Sequence, residues 1–479
     1  MNPDSTSRAI LREFPYPPTP GQKELLGLLS GFIGSKNPNE TFILKGYAGT
    51  GKTTIVSSLV RFLPSVDIKT VLLAPTGRAA KVLAGYSGKK ALTIHKKIYK
   101  ILQLPDGSTR LILQKNNHEN TLFMVDEASM ISAWQDNPEN FFNRVNLLED
   151  LVEYVKSGMN CRLIFIGDTA QLPPVGTEHS PALNPKILEE KLFEKITTYE
   201  LKDVVRQAEN SGILFNATHL RKIIEQKVSG FPKIKLKGFN DLRRVAGQEA
   251  AEEVTDLFAG RQLEESIIIC NSNKRTILYN QFIRNRVLYR EDRINAGDLL
   301  MVVQNNYHWL DAASEVGFIA NGDIIEIKRI TKIEEVYGFT FADVTIRMLD
   351  YSDEPDMEVK ILLDTLASPS PALSSTERRK LFDAVSENYN DIPNKRTRLS
   401  KIKNNPHYNA LQVKFAYSLT CHKSQGGQWE NVFVEMPHLN EAEPDIQYLR
   451  WLYTALTRAT KKVFLLNFSD DFFEESLHD

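Results

Sequence analysis

The chain has 479 residues, of which 42% are hydrophobic and 25% charged, and its formal net charge is −1. This length predicts about three domains, and the composition is typical of a globular protein. The sequence shows no apolar run of roughly eighteen residues and no apolar core near its start, so we expect neither a membrane span nor a signal peptide. A near-neutral net charge excludes a chain that coats nucleic acid by bulk electrostatics. The same net charge is compatible with a nucleic-acid motor that has a basic groove on one face.

The three cysteines, Cys161, Cys270 and Cys421, are far apart in the sequence. The first two lie at the ends of predicted strands and the third lies within one. Small buried thiols are therefore expected rather than a disulfide or a metal site. This cysteine usage predicts a reducing, cytoplasmic location.

Short, strongly apolar segments recur along the chain and are separated by helical patterns. The segments ETFILKG, KTVLLAPT, TLFMVDEAS and CRLIFIGD occur before residue 170, and SIIICNSN, VKFAYSLT, NVFVEMP and KKVFLLNF occur after residue 265. Because they lack polar alternation, they indicate strands that are covered on both faces, as in the parallel sheets of an α/β fold. Two α/β lobes are therefore predicted.

Two stretches interrupt this pattern. Between Gly297 and about Pro406, shorter β-like runs with Asn-Gly and Gly-Asp turns predict a small β-domain inserted into the second lobe, with one helix near 378–389. Between Ile98 and Asn120, LPDGSTRLIL carries a Pro-Asp-Gly turn signal and predicts a smaller insertion. The predicted domains are a first lobe at 1–205 with a hairpin insertion at 99–120, a second lobe at 206–296 and 410–479, and a β insertion at 297–409.

The segment Gly46-Tyr-Ala-Gly-Thr-Gly-Lys-Thr53 matches the phosphate-binding pattern G-x-x-x-x-G-K-[ST] in full. It follows a predicted strand and begins a predicted helix, which is the context that the motif requires. Glycines let backbone N–H groups surround the phosphates of ATP, and the helix N-terminus adds a positive dipole. Lys52 is predicted to neutralise the β- and γ-phosphates, and the Thr53 hydroxyl to bind Mg²⁺. The predicted nucleotide contacts in the loop are Gly46, Ala48, Gly49, Thr50, Gly51, Lys52, Thr53 and Thr54.

Two further segments predict hydrolysis rather than nucleotide binding alone. Asp126 and Glu127 end the apolar run TLFMV, and carboxylates at the end of a strand lie beside the phosphate loop in such sheets. Asp126 is predicted to hold Mg²⁺, while Glu127 accepts a proton from the attacking water. Gln171, in GDTAQLPPVG, is predicted to contact the γ-phosphate or to orient that water.

Taken in order, these motifs resemble those of superfamily 1 DNA helicases of the RecD/Dda branch. Thr19-Pro20-Gly21-Gln22 is similar to the Q motif of that family, in which the glutamine, here Gln22, reads the adenine edge. The resemblance covers about residues 19–470. The other matching segments are APTGRAAKVL at 74–83, LTIHK at 92–96, DEAS at 126–129, GDTAQLPPVG at 167–176, VVRQ at 204–207, YSLTCHKSQGGQW at 417–429 and LYTALTRA at 452–459.

The resemblance implies two RecA-like lobes with ATP bound between them, a β-hairpin pin in the first lobe and an SH3-like insertion in the second. It also implies that Arg206 and Arg458 act as arginine fingers and that Gly426 contributes to the nucleotide site. An arginine finger stabilises the charge of the transferring phosphoryl group and accelerates hydrolysis by about 10³–10⁵. If the second lobe supplies it, hydrolysis requires closure of the lobes, which couples ATP turnover to movement.

The same resemblance predicts the path of a nucleic-acid strand. Hydroxyl and imidazole donors suit phosphate oxygens, which position a strand without reading its sequence, although Thr and His also commonly cap helices. The implied activity is ATP-dependent translocation along single-stranded DNA in the 5′→3′ direction, with duplex unwinding at junctions by a monomer. The residues implied to border the strand are Pro75, Thr76, Thr93, His95, Thr420 and His422.

Two alternatives belong to other functional classes. A P-loop kinase or small-molecule NTPase requires an acceptor pocket and a lid, and it leaves the second α/β half and Arg458 unexplained. A non-catalytic ATP-dependent clamp or loader predicts a degenerate site, whereas Lys52, Glu127 and Arg458 are all present. Stimulation of ATP hydrolysis by single-stranded DNA distinguishes the motor from the kinase or small-molecule NTPase.

Overall fold

The computed structural model describes residues 3–35, 37, 39–103, 109–132, 146–192, 195–204, 210–260, 263–310, 317–351, 354–439 and 443–474. The helices are α1 Pro3–Arg12, α2 Pro20–Gly34, α3 Lys52–Phe62, α4 Gly77–Ser87, α5 Ile94–Ile98, α6 Leu147–Lys156, α7 Pro185–Leu192, α8 Gly212–Gln226, α9 Gly247–Phe258, α10 Asn273–Phe282, α11 Asp364–Ala367, α12 Ser375–Glu387, α13 Lys395–Lys403, α14 Cys421–Ser424 and α15 Ile446–Leu456. The strands are β1 Glu40–Gly46, β2 Lys69–Ala74, β3 Ala91–Thr93, β4 Tyr99–Gln103, β5 Thr109–Leu113, β6 Thr121–Val125, β7 Arg162–Gly167, β8 Lys195–Leu201, β9 Leu242–Val245, β10 Ser266–Cys270, β11 Leu299–Val302, β12 Ile324–Val336, β13 Phe339–Met348, β14 Met357–Leu362, β15 Leu411–Phe415, β16 Ser418–Thr420, β17 Trp429–Glu435 and β18 Ala459–Leu466.

The first lobe is built on a parallel sheet with the strand order β3-β2-β6-β7-β1-β8. Apolar side chains alternate between its two faces, and each face has its own core. Phe42 and Leu44 of β1 pack with α2 and α3, while Ile43 packs on the other side with α6. The four predicted strands of this lobe are confirmed. The short β3 and the edge strand β8 were not predicted, since both are only partly buried along most of their length.

The second lobe contains a parallel sheet with the order β16-β10-β17-β18-β9. The prediction that VKFAYSLT forms one strand of this sheet is wrong, because the segment divides at Ala416 and Tyr417. Residues up to Phe415 belong to β15, whereas Ser418–Thr420 form β16 beside β10. Buried Tyr417 marks the division, where its hydroxyl hydrogen-bonds Asp298 at 3.0 Å.

Strands β11 to β15 form a closed barrel, which is the small β insertion predicted for the second lobe. Its strands pair in antiparallel fashion except for β14 with β15, which are parallel. Strand β15 at Leu411–Phe415 lies beyond the boundary expected at residue 409. Helix α12 covers most of the predicted helical piece, and α13 follows it at Lys395–Lys403.

The insertion in the first lobe contains the antiparallel pair β4 and β5, in which Tyr99 lies opposite Leu113 and Gln103 opposite Thr109. All three cysteines are free and buried, as predicted. Cys421, however, begins helix α14 and does not lie in a strand. Within the described residues, no helix is both long and apolar enough to span a membrane.

Candidate active site and nucleic-acid interface

The phosphate loop joins β1 to α3 at the carboxyl edge of the first sheet. Gly49 and Gly51 have φ angles of +75° and +85°, a left-handed conformation that favours glycine. Gly46 has no space for a side chain, since an added Cβ would lie 3.0 Å from Thr50 Oγ1 and 3.1 Å from Lys52 Cγ. Lys52 Nζ donates to the carbonyl oxygens of Gly46 at 2.6 Å and Tyr47 at 2.9 Å, so its ammonium lies within the curve of the loop.

Thr53 and Thr54 occupy the second and third positions of α3, directly after Lys52. Thr53 is exposed and Thr54 is half-buried. Gln22 supports the loop from helix α2: its Nε2 donates to Thr50 O at 3.2 Å, and its Oε1 accepts from Thr19 N at 3.0 Å. The glutamine predicted to read adenine therefore also links the start of α2 to the phosphate loop.

The acidic pair lies at the end of β6, beside the phosphate loop. Asp126 Oδ2 accepts from the Tyr86 hydroxyl at 2.5 Å, and its Oδ1 accepts from Glu127 N at 2.9 Å. Burial and the neighbouring Glu127 charge raise the pKa of Asp126, while Tyr86 and Lys52 oppose that rise. The backbone of Glu127 adopts a left-handed φ of 50°, which is uncommon for a residue with a side chain.

The second lobe reaches this pair through Arg458, which follows helix α15. Arg458 Nη1 lies 3.6 Å from Glu127 Oε1, and the Arg458 side chain is 4% exposed. Its guanidinium donates to Thr454 O, Gly427 O and Thr457 Oγ1 at 3.1, 3.4 and 3.3 Å. The predicted finger is thus held in place by its own lobe and faces the predicted base of the other.

Helix α15 also contacts the loop that follows β7. Tyr453 donates its hydroxyl proton to Asp168 Oδ2 at 2.5 Å and accepts from Ala48 N of the phosphate loop at 3.0 Å. Thr454 Oγ1 accepts from Leu172 N at 2.9 Å. Arg450 Nη1 donates to the carbonyls of Thr169 and Gln171. These interlobe contacts were not predicted, although the segment LYTALTRA pointed to the helix that makes them.

Gln171 is 5% exposed, and its side-chain Oε1 has no hydrogen-bond partner among the described residues. A buried orphan acceptor is unfavourable by about 1–3 kcal/mol. An acceptor suits the O–H of a water better than a phosphate oxygen, because phosphate oxygens cannot donate. Asp168 is buried nearby, and burial raises its pKa.

Two further residues, Arg206 and Gly426, were predicted for the nucleotide site. Arg206 lies outside the described residues. Gly426, with φ of +74°, packs against helix α4, and an added Cβ would lie 2.7 Å from Ala79 Cβ and 3.2 Å from Thr76 Oγ1. It therefore lies against a predicted strand contact, whereas its neighbour Gly427 accepts the hydrogen bond from Arg458.

The first-lobe residues that are predicted to contact the nucleic-acid strand lie at the carboxyl ends of the β-strands β2 and β3. Pro75 follows β2, and Thr76 caps α4 by accepting from Ala79 N at 3.2 Å. Thr93 caps α5 in the same way through Lys96 N at 3.3 Å. A hydroxyl that accepts in this way retains its own O–H as a donor. His95 lies in α5, where burial lowers its pKa to about 4.

The contacts predicted in the second lobe begin at the end of β16. Thr420 precedes α14, and its side chain makes no capping hydrogen bond to that helix. His422 is exposed, and partial burial of its ring lowers its pKa. Both residues lie on the segment that contains Gly426, which packs against Thr76. This segment therefore meets the first lobe at Thr76 through Gly426.

The barrel also contacts these motifs, through a buried cluster that the sequence did not predict. Lys96 Nζ of α5 lies 3.8 Å from Asp323 Oδ2 of the barrel, with both side chains at most 2% exposed. The same ammonium lies 3.8 Å from the centre of the Tyr351 ring. Gly77 allows this approach, because an added Cβ would lie 2.5 Å from Asp323 Oδ1. Burial lowers the pKa of Lys96 to about 8 and raises that of Asp323 to about 7.

A phosphate loop on one parallel-sheet lobe, closed by an arginine from a second such lobe, defines a two-lobe P-loop ATPase of the motor type. A family model described as an AAA domain matches residues 29–227, and one described as a UvrD-like helicase C-terminal domain matches residues 415–466. The chain is similar to the superfamily 1 DNA helicases of the 5′–3′ branch.

Several known proteins are similar to this chain. The ATP-dependent DNA helicase dda of Enterobacteria phage T4 is 26% identical over 93% of this chain and 98% of its own length. The ATP-dependent RecD2 DNA helicase of Deinococcus radiodurans is 31% identical over 36% of this chain and 20% of its own length. Among solved structures, Pif1 helicase from Bacteroides in complex with ADP-AlF3 and ssDNA matches with a TM-score of 0.46 and 14% identity, covering 96% of this chain and 95% of that chain.

Proposed function

We propose that this protein is an ATP-dependent DNA helicase of the RecD/Dda-like kind that moves 5′→3′ along single-stranded DNA and unwinds duplex ahead of it. The observation that carries the proposal is the 3.6 Å approach of Arg458 in the second lobe to Glu127 in the first. A site divided between two lobes is complete only when the lobes are closed. ATP turnover then drives closure and opening, and the strand-binding motifs on the two lobes move with it.

The residues of the site have separate roles in this proposal. Lys52 and the loop N–H groups bind the β- and γ-phosphates. Glu127 accepts the proton of the attacking water, which Gln171 orients through its free Oε1. Arg458 stabilises the charge on the transferring phosphoryl group. Thr76, Thr93, His95, Thr420 and His422 hold the strand through its phosphates.

Mg²⁺ fits the residues present. Asp126 is a carboxylate whose pKa is raised by burial and by the neighbouring Glu127 charge, so a bound cation would favour its charged form. Among the described residues no group of three or more His, Cys, Asp or Glu side chains could hold a metal ion by itself. Asp126 and Thr53 would therefore hold the ion together with ATP oxygens and water. When bound, Mg²⁺ neutralises charge that develops on the phosphates.

Two assays test the proposal. ATP hydrolysis is measured with and without single-stranded DNA, and strong stimulation is expected because strand binding favours closure. Unwinding of duplexes that carry a 5′ or a 3′ single-stranded tail then gives the direction, and the 5′ tail is expected to be preferred. ATP hydrolysis that does not respond to DNA would overturn the motor and favour a P-loop kinase or small-molecule NTPase.

A further inference from the structure

Helix α4 contacts the ATP site through Tyr86, a residue that lies outside all of the matching sequence motifs. The hydroxyl of Tyr86, in the last turn of α4, donates to Asp126 Oδ2 at 2.5 Å. Burial and the charge of Asp126 raise the pKa of Tyr86, so this hydroxyl keeps its proton and is the donor of the pair. Its acceptor is the carboxylate that is assigned above to Mg²⁺.

Two hydrogen bonds fix the rotation of the Asp126 carboxylate. Tyr86 holds Oδ2, and the backbone N–H of Glu127 donates to Oδ1 at 2.9 Å. An ionised carboxylate has about four acceptor positions on its two oxygens, so these bonds leave positions open for a cation or for its bound waters. Tyr86 therefore orients the carboxylate without occupying all of its lone pairs.

The backbone of Tyr86 is tied to the second residue that is assigned to Mg²⁺. The Ser57 hydroxyl of α3 lies 2.9 Å from Tyr86 O and 2.8 Å from Thr53 O, within hydrogen-bonding distance of both carbonyls. The Tyr86 ring also packs against the core that α2 and α3 form with the first sheet. One residue of α4 thus contacts Asp126 with its side chain and, through Ser57, the first turn of α3, which carries Thr53.

The opposite end of α4 lies at the path predicted for the nucleic-acid strand. Thr76 caps this end of the helix, and an added Cβ on Gly426 would lie 2.7 Å from Ala79 Cβ in its first turn. Gly88, with a φ angle of +67°, ends the helix, and its N–H donates to Ala84 O at 3.0 Å. The 11 residues of α4 span roughly 16 Å at 1.5 Å per residue. A short helix that is held at both ends is the kind of rigid element that carries coupling between two sites.

We propose that Tyr86 is a positioning residue that orients Asp126 toward Mg²⁺ and makes this orientation depend on the nucleic-acid strand bound at Thr76. The proposal rests on the function proposed above and adds the group of the first lobe that connects its two sites. Strand binding at Thr76 fixes the first turn of α4, and the helix then holds the Tyr86 hydroxyl on Asp126. The effect falls on metal affinity, because losing a partner that orients a metal ligand typically weakens binding by about 10–100-fold.

The test is a titration with MgCl2 that follows equilibrium binding of a fluorescent, non-hydrolysable ATP analogue, with and without a dT oligonucleotide. For the wild type, we expect the oligonucleotide to lower the Mg²⁺ concentration that gives half-maximal binding, which is the midpoint of the titration. Tyr86→Phe keeps the ring and removes the hydroxyl, and it is expected to raise the midpoint by about tenfold or more. The oligonucleotide is expected to leave the midpoint of Tyr86→Phe unchanged.

The matched control is Tyr99→Phe. The Tyr99 hydroxyl also donates at 2.5 Å to a carboxylate of the first lobe, that of Asp150, which belongs to no predicted site. Thermal unfolding of the metal-free proteins verifies that both variants are folded at the assay temperature. Only Tyr86→Phe is expected to shift the Mg²⁺ midpoint, because Tyr99 does not contact a residue assigned to the ion.

The possible outcomes separate the parts of the proposal. A wild-type midpoint for Tyr86→Phe, or an equal shift in Tyr99→Phe, would overturn the positioning role. A raised midpoint that still responds to the oligonucleotide as the wild type does would overturn the connection through α4, as would a wild-type midpoint that does not respond to it. These outcomes leave the helicase function standing, whereas a wild-type protein that binds neither the analogue nor the oligonucleotide would refute that function itself.

Discussion

Arg458→Ala is the most direct test of the divided active site. The guanidinium is 3.6 Å from Glu127, 4% exposed and held by three hydrogen bonds within its own lobe. Because it is already oriented, it stabilises the transition state without reorganisation. We expect kcat to fall by about 10³–10⁵, which corresponds to roughly 4–7 kcal/mol of transition-state free energy.

The assay separates this role from a structural one. Steady-state hydrolysis at saturating single-stranded DNA gives kcat, and equilibrium binding of a fluorescent ATP analogue gives affinity. Binding should change little, because Lys52 and the loop hold the phosphates. Arg243→Ala removes an exposed arginine of the same lobe, which pairs with Glu249 and Glu253, and should preserve kcat. Equal losses of analogue affinity and kcat in Arg458→Ala would refute the finger role.

Three further predictions concern the phosphate loop, the barrel contact and the partly buried His95. Lys52→Ala should abolish ATP hydrolysis while binding to single-stranded DNA, measured by fluorescence anisotropy, persists; retained turnover would contradict its assigned role. Gly77→Ala places a Cβ 2.5 Å from Asp323 Oδ1 and should destabilise the protein by about 1–3 kcal/mol in thermal unfolding. Gly85→Ala, on the same helix with no atom within 4 Å, should stabilise it by about 0.5–1 kcal/mol, and equal effects of the two changes would argue against the contact. His95 has a pKa lowered from 6.5 to about 4, so the unfolded chain binds the proton more tightly and stability falls as the pH drops from about 6.5 to 4. His95→Gln should weaken that acid sensitivity in denaturant unfolding, and an unchanged pH profile would exclude His95 as its source.

The barrel contact has a consequence for the strand path. Lys96 directly follows His95 on α5, and its ammonium is buried against Asp323 and Tyr351 of the barrel. Lys81 of the neighbouring helix α4 donates to Leu349 O at 2.7 Å. The barrel is therefore fixed to the two first-lobe helices, α4 and α5, that carry predicted strand contacts.

Local patterns in the sequence were sufficient for the parts of the site that lie within one segment. The phosphate loop requires glycines at Gly49 and Gly51 because the backbone there is left-handed. Asp126 and Glu127 end a fully buried strand, which fixes them at the carboxyl edge of the sheet. Strands that are buried on both faces were also recognised from local sequence, since every residue of such a strand is apolar and the run shows no polar alternation.

The sequence was less informative where a strand is only partly buried, or where consecutive residues of one apolar run belong to two different sheets. Strand β8 is only partly buried along most of its length, so its residues alternate weakly and it was not predicted. VKFAYSLT reads as one apolar run, yet the barrel takes its first half and the second lobe takes Ser418–Thr420. An apolar run records that its residues are buried and does not record which sheet covers them.

The amino-acid sequence by itself determined the phosphate loop, the acidic pair and the existence of two parallel-sheet lobes, because each depends on neighbours in the chain. The tertiary structure alone decided that Arg458 faces Glu127, that Tyr453 joins Ala48 to Asp168, and that Gly426 lies against Thr76. These contacts join residues far apart in the sequence. Their geometry follows from how two lobes and a barrel pack together, and no local pattern encodes that packing.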